Sequence, residues 1–176
     1  MRKLLNEELD RLSTEEFKRS PKVPVTVILD NIRSQHNIGS LFRTADAFRL
    51  EALFLCGITA TPPHREIHKT ALGATESVYW EYHETTAGAI TELKEKGYRI
   101  LAVEQAEGAV RLEQLELLRD QRYALVMGHE IRGVDQVVLD MCDQCIEIPQ
   151  FGTKHSLNIS VAAGIVIWEV YRKLTL

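Results

Sequence analysis

The chain holds only three cysteines among 176 residues. An odd count leaves one thiol over from any secreted disulfide framework, which points to a reducing compartment. Cys142 and Cys145 have CxxC spacing, but a zinc site needs four ligands and neither a second CxxC nor a neighbouring HxxxH supplies them, so no metal site is expected. The pair reads as ordinary half-buried thiols, with a redox couple as the alternative. Long apolar runs are also missing. The longest, residues 161–168, ends at Glu169, well short of the ~18 residues that a membrane span needs. The first residues turn acidic at Glu7 and Glu8 before a signal-peptide core forms, and the expectation is a soluble, cytoplasmic protein. No Gly-x-Gly-x-x-Gly occurs, and Val134 stands after Gly133 where a P-loop requires lysine, which leaves a dinucleotide or P-loop reading weak. The five prolines and ten glycines gather into no linker, and no repeat or low-complexity tract is present. One domain is expected.

What is present is an ordinary globular composition, 45% apolar and 26% charged, which excludes disordered, coiled-coil and collagen-like chains. The 21 Lys and Arg against 25 Asp and Glu give a net charge of −4 and exclude a globally basic nucleic-acid coat. The charge is uneven. Residues 1–75 carry 11 basic and 9 acidic groups, net +2, and residues 76–176 carry 10 and 16, net −6. Polyanion binding depends on local neutralisation of phosphates, so a basic face is expected in the first 75 residues.

Leu4, Leu5, Leu9 and Leu12 at helical spacing predict a short helical preface over residues 2–12, and Ser13-Thr14-Glu15-Glu16 is a capping box that starts a second turn through Phe17. Pro21 and Pro24 separate this extension, residues 1–20, from a single domain over residues 21–176. Short apolar and β-branched runs predict strands over residues 23–29, 52–56, 78–83, 98–104, 123–127 and 145–148. Helical patterning lies over residues 37–48, 86–96, 134–141 and 156–174. The alternation implies an α/β class, with a mostly parallel sheet, helices on both faces, and ligands in the crevice beyond the carboxyl ends of the strands.

Three strand-to-helix loops hold the candidate chemistry. In the first, Asn37 is a good N-cap and Gly39 removes a side chain that would block a ligand. Arg43, one turn on, either forks onto a phosphate or oxyanion or pairs with Asp46 or Asp30. In the second, Gly128-His129-Glu130-Ile131-Arg132-Gly133, Glu130 either orients a cation or hydroxyl or serves as an acid at a helix N-terminus. The third runs through Ile148-Pro149 and Gly152 to Ser156-Leu157-Asn158-Ile159-Ser160 and gathers hydroxyl, amide and backbone donors. Ser156 alternatively just caps the last helix. That helix is apolar nearly all round from 161 to 168, as expected of one lying between the sheet and another chain.

Together these loops resemble the SpoU (TrmH-type) family of RNA 2′-O-ribose methyltransferases within the SPOUT superfamily. Asn37-Ile38-Gly39 with Arg43 is similar to its first motif, Gly128-His129-Glu130 with Gly133 to its second, and the Ile148 to Ser160 pattern to its third. The likeness runs in family order over about residues 23–174. His129 departs from the family's usual Asn. The resemblance implies an α/β fold with a C-terminal trefoil knot (the SPOUT, or α/β-knot, fold), which no rule of chain connection would suggest. It also implies a homodimer that binds S-adenosylmethionine in the knot and completes its active site across the interface. Cofactor contacts then fall to Val103, Gly128, Ile148, Ser156 and Leu157, and catalytic roles to Arg43, Glu130, Ser156 and Asn158. RNA, tRNA ahead of rRNA, is expected to meet Arg33, Asn37, Arg43, Arg65 and Lys69, the last two in a loop over residues 62–69 that is otherwise merely solvated. A guanidinium, with a pKa above ~12, suits phosphate positioning and oxyanion stabilisation. His155 and His129, ordinarily near ~6.5, suit a general base. The alternatives are a catalytically silent RNA-binding dimer of the same fold and an unrelated nucleotide-binding oxidoreductase.

Overall fold

Strands covered on both faces read as near-continuous apolar runs, and the central strands of this chain do so for that reason. The computed structural model describes residues 1–176, the side chain of Asn6 excepted. In chain order the elements are α1 (Thr14–Arg19), β1 (Val23–Asp30), α2 (Gln35–Ala47), β2 (Leu50–Cys56), α3 (Arg65–Ala71), α4 (Ala74–Ser77), β3 (Trp80–His83), α5 (Thr86–Glu95), β4 (Tyr98–Val103), β5 (Val110–Arg111), β6 (Arg122–Met127), α6 (Gln136–Met141), β7 (Gln144–Glu147) and α7 (Ile159–Thr175). The seven strands are parallel throughout, in the order β3-β2-β1-β6-β4-β7-β5. Alternate residues serve opposite layers. Val27, Leu29, Leu53, Leu55, Leu125 and Met127 pack with Ile38, Leu41 and Phe42 of α2 and Val166, Ile167 and Val170 of α7. Ile28, Phe54, Ala124 and Val126 pack with Ala89, Ile90 and Leu93 of α5 and Val138 of α6. Each fully buried Leu, Ile or Val contributes about 1.5–3 kcal/mol. No helix is long and apolar enough to cross a membrane.

Several expected boundaries are corrected. Residues 2–12 form no helix beyond a 3₁₀ turn at Asn6–Glu8, and Leu4, Leu5 and Leu12 stay exposed; a short helix with nothing to pack against does not hold. The capping box is present, with the Ser13 hydroxyl accepting from the Glu16 N–H and the Glu16 carboxylate accepting from the Ser13 N–H. α2 starts before Asn37 because Ser34 is its N-cap, accepting from the Asn37 N–H. Residues 65–71, expected as loop, are α3, capped by His64 Nδ1 accepting from the Glu66 N–H; with only Ile67 and Ala71 buried, it lacks the periodicity that signals a helix. A Cβ on Gly39 would fall 2.3 Å from the Ile67 carbonyl oxygen, so this glycine makes room for α3 and not for a ligand. The strand expected over residues 78–83 begins only at Trp80, after α4. β5, at two residues, is too short to leave a pattern. α7 is capped by Asn158, whose Oδ1 accepts from the Ser160 N–H, and Ser156 lies outside it.

Register positions the site. Leu29 pairs with Met127, Met127 with Val103, and Val103 with Ile146. The carboxyl ends of β1, β6, β4 and β7 therefore lie side by side, and the three loops leave the sheet together.

Candidate active site

A cleft of about 290 Å³ opens beyond the ends of β4, β6 and β7, near the ~300 Å³ lower bound of small-molecule sites. Its lining includes Val103, Gly128, Ile148, Ser156 and Leu157, the five expected cofactor contacts, together with Glu130 and His155. Glu104, Gln105, Ile131 and Arg132 also line it; no motif singled them out.

The second loop closes on itself. His129 and Gly133 exchange N–H to carbonyl bonds of 3.0 and 2.8 Å, Gly133 takes a left-handed φ of 67°, and a Cβ on Gly128 would lie 2.4 Å from the Gly133 carbonyl carbon. Only glycine permits that approach. Within the turn, His129 is buried and its Nδ1 accepts from the N–H groups of Ile131 at 3.0 Å and Arg132 at 3.4 Å. The imidazole thus does the work of an Asn oxygen in an Asx turn. This corrects the expectation of His129 as general base, because protonating Nδ1 would break the turn that it holds.

Glu130 heads no helix of its own loop. Its carboxylate crosses to the start of α2 and accepts from the Ser34 N–H at 2.9 Å and the Arg33 N–H at 3.2 Å, with Asn37 Nδ2 at 3.5 Å. Unpaired N–H groups and the positive end of the helix dipole favour a carboxylate there. Burial pushes the Glu130 pKa up, but the N–H groups of Ser34, Glu130 itself and Arg33, with Asn37, outweigh it and hold the carboxyl below its ordinary 4.5. Asn37 in turn accepts at Oδ1 from Asn158 Nδ2, 3.2 Å away. One asparagine on α2 therefore joins residues 93 and 121 positions further along the chain, and all three motifs meet.

Arg43 does not join them. It is exposed on α2 and, with Ser40, Phe48, Lys69 and Thr70, lines a separate hollow of about 450 Å³. Both expected ion-pair partners are engaged elsewhere, Asp46 by Ser77 and Asp30 by Thr86 and Asn31. Phe48 packs on Trp168 and Tyr171 of α7, whose outer face leaves Val161, Ile165 and Trp168 39–51% exposed. Arg33 lines a shallow hollow of about 330 Å³ beside the cleft with Glu130 and Ile131. Arg65 is exposed, and Lys69 pairs with Glu66 at 2.7 Å.

Two other groupings lie outside the cleft's chemistry. Burial pushes the Cys142 thiol up to about 12 and raises Cys145 as well, which disfavours the redox alternative. At the far edge of the sheet, Glu81 and His83 of β3 and Glu92 of α5 have metal-like spacing. One ligand atom from each lies within 4.8 Å of the others, and the Glu81 and Glu92 carboxylates lie 3.9 Å from Nε2 and Nδ1 of His83.

Residues 24–168 match the SpoU rRNA methylase family. The chain belongs to this family. Among SpoU relatives, it is 35% identical over 163 residues to a Staphylococcus haemolyticus protein described as a TrmH family tRNA/rRNA methyltransferase, covering 90% of this chain and 64% of that one. It spans 61–64% of the length of the first curated relatives that it matches. An AdoMet-bound rRNA methyltransferase from Sinorhizobium meliloti superposes with a TM-score of 0.81 at 26% identity, covering 91% of this chain and 61% of that one. A chain solved for structural insight into the 2-OH methylation of C/U34 on tRNA superposes with a TM-score of 0.76 at 28% identity, covering 86% of this chain and 96% of that one.

Proposed function

We propose that the chain is an S-adenosylmethionine-dependent RNA 2′-O-ribose methyltransferase, a homodimer carrying the family's C-terminal trefoil knot and acting on tRNA ahead of rRNA. The observation that carries this reading is the meeting of the three motifs beside one cleft, through Glu130, Asn37 and Asn158. The cleft's chemistry fits the methyl donor. Val103, Ile148 and Leu157 offer apolar walls for an adenine, while Glu104 and Glu130 bring carboxylates to its rim. Those charges favour a sulfonium and oppose the pyrophosphate of a dinucleotide, which argues against the oxidoreductase. The AdoMet-bound relative supports the same donor, and the tRNA-methylating relative supports the substrate. The knot is supported by the insertion of β7 between β4 and β5, two strands that precede it in the chain.

When bound, the donor supplies a methyl group already activated as a sulfonium electrophile. The chain's residues have to orient the ribose and remove its hydroxyl proton. Glu130, ionised, fixes the start of α2 against the cleft, Asn37 and Asn158 tie the third loop to it, and Ser156 presents its hydroxyl to the donor. His155, which lines the cleft, takes the hydroxyl proton at a ring nitrogen. Arg43 of the partner subunit stabilises the ribose oxyanion and its neighbouring phosphate, and Arg33, Asn37, Arg65 and Lys69 hold the RNA. The dimer is supported by the exposed stripe of Val161, Ile165 and Trp168, which adjoins Phe48 and through it the hollow of Arg43; an apolar surface of this kind marks a protein contact.

Incubation with bulk RNA and tritiated methyl donor, then nuclease digestion and mass spectrometry, is expected to yield one 2′-O-methylated nucleoside from tRNA. Donor binding without transfer to any RNA would identify the silent dimer instead, and a methyl group on a base would overturn the ribose assignment.

A further inference from the structure

We infer that Glu104 and Gln105, the two residues after β4, form a latch that fastens the second and third loops to each other and so sets the shape of the methyl-donor cleft. Neither belongs to the three motifs. The Glu104 N–H donates to the Ile146 carbonyl at 3.1 Å, and from that anchored point the two side chains go to different loops. Glu104 serves the second. Its Oε2 accepts from the Val134 N–H at 2.9 Å and its Oε1 from the Gln105 N–H at 2.8 Å. Oε2 also lies 2.0 Å from where a Cβ on Gly133 would stand, filling the space that the left-handed glycine leaves open.

Gln105 serves the third loop, donating from Nε2 to the His155 carbonyl at 3.0 Å. Among the described residues this is the one hydrogen bond that residues 149–157 make, and residues 151–158 are all exposed. A loop without ladder bonds or buried side chains has little else to order it. The bond falls immediately before Ser156 and Leu157, which reach the cleft. The latch is a positioning device, since neither side chain is asked to touch a reacting atom. It rests on the reading of the cleft as the donor site, and its test separates the two.

The isosteric exchanges Gln105→Glu and Glu104→Gln keep size; the first puts a carboxylate in place of the amide that donates to the His155 carbonyl, and the second removes the Glu104 charge. In ligand-free protein, Gln105→Glu is expected to speed tryptic cleavage after Lys154 several-fold and to leave exchange of the Val134 amide hydrogen unchanged. Glu104→Gln is expected to do the reverse. By calorimetry, the dissociation constant for S-adenosylmethionine should rise roughly three- to tenfold for Gln105→Glu and roughly tenfold or more for Glu104→Gln, the loss expected for a neutral and a charged hydrogen bond. In turnover assays the loss should appear as a higher KM for the donor. Unchanged cleavage and exchange in both variants would overturn the latch, as would loosened loops with unaltered donor affinity. A wild-type protein that gives no binding heat would overturn the proposed function, and the cleavage and exchange rates would then decide the latch alone.

Discussion

Around the donor cleft the polar side chains answer one another within a single chain. Glu130 sits on the N–H groups of α2, Asn158 on Asn37, Glu104 on Val134 and Gln105 on His155. Arg43 itself has no such partner among the described residues. There an exposed guanidinium stands over a hollow shared with Lys69, next to the aromatic contact of Phe48 with Trp168 and the exposed stripe of α7. The first region is complete because the strand order β1-β6-β4-β7 delivers four carboxyl ends to one place. In the second, Lys69 has Glu66, but among the described residues the Arg43 guanidinium and the exposed stripe of α7 have no counterpart in the same chain. On the proposed mechanism the difference divides the labour, with donor binding a property of one chain and methyl transfer a property of two.

The largest effect expected from breaking this division is at the apolar stripe. Trp168→Glu sets a charge where a large aromatic would be buried, and the dimer dissociation constant is expected to rise at least roughly a hundredfold by sedimentation, with donor affinity of the monomer retained. A dimer that survives the change would move the interface elsewhere. Arg43→Lys follows. It keeps the charge and loses the two-pronged hydrogen bonding, and turnover is expected to fall roughly a hundredfold while the donor dissociation constant stays within about twofold; equal loss of both would place Arg43 on the donor side. Gly39→Ala sharpens the comparison from a third direction. The added methyl meets the Ile67 carbonyl and the Thr70 hydroxyl, so stability should drop by about 1–3 kcal/mol on denaturant titration with donor affinity unaffected. The smallest effect is electrostatic. Because the Glu130 pKa is held below its ordinary 4.5, its stabilisation is present in full above that value and is lost as pH falls through the depressed folded value. The stability gap between wild type and Glu130→Gln, about 1 kcal/mol at neutral pH, should close as the pH falls below that depressed value.

Much of this was legible in the residues. The alternating elements gave the α/β class and most of the strands, because strands buried on both faces leave continuous apolar runs. The five expected donor contacts line one cleft because Val103, Gly128 and Ile148 lie at or just after strand ends, where a parallel sheet puts its ligand, and the loop from β7 to α7 brings Ser156 and Leu157 to them. What stayed hidden depends on contacts across the chain. Asn37 looks like a cap and is instead a junction, since Ser34 caps α2 and Glu130 arrives from 93 residues away. Gly39 looks like a ligand-facing glycine and is spent on α3, a helix with too few buried residues to leave a pattern. His129 looks like a base and is a turn acceptor. Glu104 and Gln105 carry no signal at all, because an acid and an amide after a strand read as ordinary surface until their partners are known.

Mixing two inactive variants tests the central claim most directly. Arg43→Ala removes the guanidinium and leaves the cleft, while Leu157→Glu, in an exposed loop, blocks the cleft and leaves the guanidinium. After subunit exchange at equal concentrations, half of the dimers carry both variants and each of these holds one intact composite site, so methyl transfer should return to about a quarter of wild type. Continued inactivity of the mixture, with exchange verified, would contradict an Arg43 that serves its partner's cleft.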